Sequence, residues 1–234
     1  MKDLTGILLV NKPPGPTSHD MVGMLRRITG VKKIGHAGTL DPFANGLLIC
    51  LIGRGATKKS DEFMHMDKEY VAVLSLGVET DTYDREGKIV KEYGEVDMGE
   101  VQKKLPEVLN KFIGTIMQEP PMFSAKKIKG KKLYELAREG KTIKRTKVPV
   151  EIASIEVLDI DTTKSQIILK IACGSGTYIR SLAYDIGRTL GVGAYLEELE
   201  RTRIGQYLLK DAMLLEGCTK EDIKKNCVIP DSLS

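Results

Sequence analysis

Strand and helix signals mix along this chain without a repeating strand–helix order, and that constrains the fold more than any other feature. Ile7 to Val10 is an apolar run stopped by Asn11-Lys12-Pro13-Pro14-Gly15, the pattern of a buried strand. Thr17 or Ser18 can cap a helix reaching about Ile28, with Gly30 closing it. Gly35 to Gly46 holds three glycines and Pro42 and reads as a loop, Leu47 to Ile52 as an apolar strand, and Ala56 to Met66 as helical. From Lys68 to Leu76, Tyr70, Ala72, Leu74 and Leu76 alternate with the rest, as in a strand with one buried face. Asp84 to Gly87 is turn material before a short strand near Ile89. Val101, Leu105, Val108, Leu109 and Phe112 form a helical stripe, and Pro106 within it implies a late start or a kink. A short strand at Ile116 ends at Pro120-Pro121. Two long strands, Val148 to Ile160 and Gln166 to Cys173, follow, then a helix from about Tyr178 to Leu190 after Gly174-Ser-Gly176-Thr. Such an order predicts an α+β fold with a mixed, largely antiparallel central sheet flanked by helices and loops.

The 234 residues are 41% hydrophobic and 29% charged, ordinary values for a folded chain that can bury a core. The net charge of +4 says little until it is located. Between Lys126 and Lys147 ten Lys or Arg face only Glu135 and Glu139, so this stretch carries +8 and the rest of the chain sums to −4. One concentrated patch suits a polyanion partner; a solvated lysine loop has the same composition.

The four cysteines, Cys50, Cys173, Cys218 and Cys227, show neither a C-x-x-C pair nor zinc-ligand spacing. Cys50 and Cys173 lie in apolar runs and read as small buried hydrophobes. The apolar run at the N-terminus is too short for a signal peptide, and no stretch approaches the ~18 apolar residues of a membrane span. The expected location is cytoplasmic.

Asp41 is the leading chemical candidate. Gly35, Gly38 and Gly46 let the backbone turn sharply and approach a ligand, while Pro42 holds Asp41 extended and fixes its carboxylate's direction. The same residues suit a plain Asp-Pro turn, which the local sequence alone favours. His36, His19 and His65 have no metal-ligand spacing, and no Ser-His-Asp or Cys-His arrangement can be argued. Arg180 sits one turn into the helix that follows a glycine-rich turn, a weak sign of phosphate binding. Gly140-Lys141-Thr142 is not a P-loop, because Glu135 stands where its first glycine belongs.

Taken together, the motifs form a pattern. Leu9-Val-Asn-Lys12-Pro13-Pro-Gly15-Pro-Thr-Ser18, Gly35-His36-Ala-Gly-Thr-Leu-Asp41-Pro, Lys68-Glu-Tyr70 and Pro120-Pro-Met-Phe-Ser124-Ala125-Lys126 resemble the TruB family of tRNA pseudouridine synthases. So do Leu133-Tyr134-Glu-Leu-Ala-Arg138-Glu-Gly140, Gly174-Ser-Gly176-Thr-Tyr-Ile-Arg180-Ser-Leu and Leu199-Glu-Arg201-Thr-Arg-Ile-Gly205. The likeness runs in the family's order from about residue 5 to residue 207.

That resemblance implies a pseudouridine synthase fold with its active-site cleft across the sheet, and isomerisation of uridine in the T-loop of tRNA, at position 55. It makes Asp41 the nucleophile, Tyr70 the active-site tyrosine and Arg180 the cation paired with the aspartate. Leu199 would line the pocket, His36 would help hold the RNA with its base turned out, and Lys12 would brace the site. Gly35 and Thr39, in the same motif as His36 and Asp41, would complete the substrate-binding set. The reaction exchanges C1′–N1 for C1′–C5 within one nucleotide, so it requires no cofactor and no metal.

Residues 126–147 correspond to a thumb-like insertion, with Lys126, Lys127, Lys129, Lys131 and Lys132 on RNA phosphates. The catalytic domain is expected over residues 1–210, with 211–234 a short tail and no complete PUA-like domain. The expected partner is therefore the tRNA T-arm, without guide RNA or membrane, bound by a monomer. The competing reading is an RNA-binding or tRNA-folding module without turnover.

Overall fold

A computed structural model describes residues 4–123, 127–128, 131–132 and 145–229 of the chain. In chain order the strands are β1 (Gly6–Lys12), β2 (Ile34–Ala37), β3 (Asn45–Ile52), β4 (Lys68–Leu76), β5 (Val78–Thr80), β6 (Ile89–Glu92), β7 (Gly114–Gln118), β8 (Lys127–Ile128), β9 (Lys131–Lys132), β10 (Val148–Asp161), β11 (Gln166–Cys173), β12 (Ala194–Ile204) and β13 (Tyr207–Leu208). The helices are α1 (Ser18–Thr29), α2 (Gly53–Lys58), α3 (Ser60–Met64), α4 (Met98–Asn110), α5 (Ile179–Leu190) and α6 (Lys220–Asn226). The elements form two compact units, Met1–Tyr70 with Leu199–Ser234, and Val71–Glu198. The fold is α+β with mostly antiparallel pairing, as the irregular element order predicts.

In the first unit β3 is central. β1 runs antiparallel along one edge, from Gly6 opposite Ile52 to Lys12 opposite Gly46. β2 pairs antiparallel with β3 from Ile34 opposite Ile52 to Ala37 opposite Ile49, and β12 meets it in parallel at Glu200–Asn45 and Arg201–Gly46. With both edges and both faces covered, β3 is buried nearly throughout, which is why it reads as an unbroken apolar run rather than an alternating one.

α1 packs Met21, Val22 and Leu25 against Leu8, Val10, Leu48 and Cys50, and α6 adds Ile223 to the same cluster. Its ends are those expected: Thr17 caps it reciprocally with Asp20, and Gly30 closes it at φ 75°. The segment after β13 returns to β1, where Val228 and Ile7 exchange backbone hydrogen bonds of 2.8 and 2.9 Å.

In the second unit the strand order is β4-β11-β10-β7, with β10 antiparallel to both β11 and β7. β4 alternates as predicted, with Ala72, Leu74 and Leu76 on the buried side. β5 and β6 form a separate hairpin. Among the described residues no helix is long and apolar enough to cross a membrane.

Three expectations change. The stretch Gly35 to Gly46 is not all loop, because Ile34–Ala37 forms β2 and Asn45 opens β3, leaving residues 38–44 as the loop. The exposed edge of β3 recruits β2 despite its glycine, a pairing no local pattern announces. Ala56 to Met66 is not one helix: α2 and α3 are separated at Lys59. Finally, α4 starts at Met98, where Asp97 accepts a hydrogen bond from the Glu100 amide, so Pro106 lies inside the helix.

Of the basic segment, Lys126 and Lys129 lie outside the described residues, as does Leu133-Tyr134-Glu-Leu-Ala-Arg138-Glu-Gly140. For Lys127, Lys131 and Lys132 the backbone is described, as the antiparallel pair β8–β9.

Candidate active site

The loop carrying Asp41 is held from several sides by buried polar side chains of the first unit. Lys12, at the end of β1, is completely buried, and its Nζ donates to the Pro13 and Pro42 carbonyls at 2.9 and 3.2 Å. The Gly15 amide donates to the same Pro42 carbonyl at 2.8 Å. At the start of α1 the buried Ser18 hydroxyl accepts from the Leu40 amide at 2.9 Å and donates to the Leu40 carbonyl at 3.2 Å. Asp41 is thus flanked by two anchored residues, and its own carbonyl accepts from the Ala44 amide at 3.2 Å.

Arg201 of β12 completes the frame. Its side chain is 1% exposed, with Nε donating to the Leu47 carbonyl at 2.7 Å and an Nη to the Gly38 carbonyl at 3.0 Å. Gly46, at φ 107°, allows this approach: a Cβ there would sit 2.5 Å from the Arg201 carbonyl oxygen. Alongside, the Asn45 side-chain Nδ2 donates to the Glu200 carboxylate at 2.7 Å.

His36 sits on β2 opposite Cys50 and is half-buried. Burial, with the positive charge of Arg201 next and that of His19 last, lowers its pKa below 6.5, so the ring is neutral near pH 7. Its Nδ1 is buried and has no hydrogen-bond partner among the described residues. Gly35 precedes it on β2, Thr39 is exposed in the loop, and Tyr70 and Leu199 are buried on β4 and β12.

Arg180 belongs to the second unit, in the first turn of α5, and is 5% exposed. One Nη donates to Asp84 Oδ2 and to the Thr82 carbonyl, both at 3.2 Å, and the other to the Phe123 carbonyl at 2.7 Å. Asp84 is itself fixed, its Oδ1 accepting from the Thr82 hydroxyl at 2.6 Å and the Glu86 amide at 3.1 Å. The α5 entry is clamped by Gln118, whose fully buried side-chain amide donates to the Tyr178 carbonyl at 3.0 Å and accepts from its amide at 2.8 Å. Ser181 adds a hydroxyl bond to the Glu119 carbonyl at 2.7 Å.

Two family models together match residues 26–229. That of the TruB family pseudouridylate synthase N-terminal domain covers residues 26–179, and that of the tRNA pseudouridylate synthase B C-terminal domain covers residues 180–229. The chain belongs to the TruB family. Among curated relatives, tRNA pseudouridine synthase B of Protochlamydia amoebophila is 49% identical over 90% of this chain and 78% of its own length. That of Aquifex aeolicus is 43% identical over 97% of this chain and 78% of its own. Among solved structures, a Cbf5-Nop10-Gar1 complex aligns at TM-score 0.68 and 31% identity, covering 94% of this chain and 54% of that one. The archaeal box H/ACA sRNP Nop10-Cbf5 complex aligns at TM-score 0.69 and 28% identity, over 97% of this chain and 60% of that one.

For a TruB-family chain, three structural participants carry no local signal in the sequence. Arg201 stands inside a quoted motif but has no role assigned there. Asp84 reads as turn material, and Gln118 as the end of a strand. What marks them is burial without apolarity, visible only once distant partners are placed, such as Leu47, 154 positions from Arg201.

Proposed function

We propose that this TruB-family enzyme isomerises uridine to pseudouridine at position 55, in the T-loop of tRNA, with Asp41 as nucleophile. The observation that carries the assignment is the fixed backbone around Asp41, with Leu40 held by Ser18, Pro42 by Lys12 and Gly15, and Gly38 by Arg201. Buried lysine and arginine are costly unless their donors are satisfied, so their use on loop carbonyls indicates a loop whose position matters.

The chemistry follows from the residues. A uracil within a folded loop must be flipped out, at a cost of about a few kcal/mol. His36, a neutral ring on β2, can occupy the vacated space. Asp41 adds to the flipped nucleotide and C1′–N1 breaks. The uracil stays in the pocket, C1′ joins C5, the bond to Asp41 is released, C5 loses its proton and N1 gains one, so the RNA changes only in its glycosidic bond. Tyr70 stacks on the base and takes that proton, and Leu199 supplies an apolar wall. Arg180 is assigned as the cation paired with the Asp41 carboxylate, and Gly35 and Thr39 bring backbone and hydroxyl close to the RNA. The lysines of residues 126–147 grip phosphates. Catalytic domain 1–210 and the absence of a guide RNA belong to the same reading.

Release of tritium from C5-labelled uridine in a T-arm hairpin tests the reading. Wild type releases it and Asp41→Asn does not; release by the variant at a rate close to wild type refutes the nucleophile. Hairpin binding without any release by wild type would instead establish the non-catalytic module.

A further inference from the structure

We infer that a basic pocket at the opposite end of β3 from the Asp41 loop is a second binding site for RNA backbone phosphates. The inference rests on the proposed action on tRNA and extends it to a part of the RNA away from the target base. The pocket has a volume of about 570 Å³ and is lined from four stretches of the first unit. Lys32 and Lys33 follow the end of α1, Arg54 lies in the first turn of α2, and Lys220 and Lys224 lie on α6. All five are exposed, and no Asp or Glu is among the lining residues. Of the five, Lys224 alone has a carboxylate within ion-pair distance among the described residues, Glu221 at 3.7 Å.

Five cations facing one concavity are unexpected here, because the chain outside residues 126–147 carries a net charge of −4. They repel one another across the pocket over a Debye length of about 8 Å at physiological salt, and a polyanion relieves that repulsion. The remaining lining is glycine, threonine and small aliphatic side chains, without an aromatic ring on which a base could stack. The lining therefore fits phosphates rather than bases.

The location says which phosphates. β3 runs from Asn45, next to the catalytic loop, to Ile52, next to the pocket; at about 3.3 Å per residue the two ends are about 23 Å apart. Phosphates in the pocket are thus not those of the flipped nucleotide. The site adds affinity without touching the chemistry.

The test is equilibrium binding of a fluorescein-labelled full-length tRNA transcript by anisotropy across a salt series. It compares wild type, the triple variant Lys33→Ala, Arg54→Ala and Lys220→Ala, and a charge-matched control, Lys103→Ala and Lys104→Ala on α4 with Lys111→Ala at its C-terminal cap. The pocket variant should bind at least tenfold more weakly, with a log K against log salt slope smaller by about 2 to 3. The control should change neither, and kcat at saturating tRNA should be retained by both. Wild-type affinity and slope in the pocket variant overturn the inference. So does an equal loss in the control, or a pocket that takes inorganic phosphate while tRNA affinity is unchanged. Because anisotropy reads binding whether or not the RNA is isomerised, a wild type that binds but never turns over overturns the proposed activity and leaves this test standing.

Discussion

Replacing Arg201 by Met separates the frame of the Asp41 loop from the chemistry proposed for it. Met fills much of the volume of the guanidinium side chain but donates nothing, so the Leu47 and Gly38 carbonyls lose bonds of 2.7 and 3.0 Å. Leu47 is fully buried, and an acceptor stranded there costs about 1–3 kcal/mol. Gly38 is half-buried, so water can replace the arginine at its carbonyl, and its loss falls on position rather than stability. Relief from burying a cation offsets part of the first cost. The net expectation is about 1–2 kcal/mol of stability, a fall in melting midpoint of about 2–8 °C for a chain of this size. The catalytic effect should be larger, because a displacement of about 1 Å at a reacting group can cost about 100-fold in rate. Single-turnover tritium release from a T-arm hairpin should drop about 100-fold while hairpin affinity stays within about threefold. A rate within threefold of wild type, with an unchanged midpoint, would refute the view that Arg201 positions the Asp41 loop.

Other consequences can be measured on the same protein. Asp84→Asn removes the carboxylate that faces buried Arg180 at 3.2 Å, and urea unfolding should show a loss of about 2–4 kcal/mol, whereas a loss below about 1 would mean the pair is not needed. Gly46→Ala puts a Cβ 2.5 Å from the Arg201 carbonyl at φ 107°, so at least about 2 kcal/mol should be lost, and a variant as stable as wild type contradicts the packing. His36 has a folded pKa below 6.5, so the unfolded chain binds the proton more readily; its contribution to stability is complete above 6.5 and declines as pH falls toward the folded value. His36→Gln should therefore flatten the acid side of the stability profile, and an unchanged profile would count against a buried neutral ring.

What could be read in advance depended on whether the cause was local. α1 is legible because Thr17, Asp20 and Gly30 act within one turn of its ends, and β4 because alternation follows from one buried face. The turn around Asp41 is legible for a similar reason, since glycine and proline restrict their own backbone. β2 escapes because its pairing is dictated by the free edge of β3, fifteen or so positions away, and not by its own residues. Gln118 escapes because a glutamine that pairs with both backbone groups of Tyr178, 60 positions later, looks like any polar residue at the end of a strand. The basic segment stood out by charge alone, while the cations around the pocket at α6 are scattered over nearly 200 residues and converge only in the folded unit.

The distribution of buried polar groups supplies an argument for the site that owes nothing to motif likeness. Burying a hydroxyl, amide or cation costs free energy even when its hydrogen bonds are kept, and an apolar residue of similar size would often serve stability as well. In this chain Lys12, Ser18 and Arg201 fix the loop of Asp41, while Gln118, Ser181 and Asp84 fix the start of α5 and Arg180. These six are most of the buried polar side chains among the described residues apart from Arg180 itself. If they served stability alone, they would be spread through the core like the leucines and isoleucines. Their concentration on two short segments, one in each unit, is what a fold pays when two particular groups must be held in fixed positions.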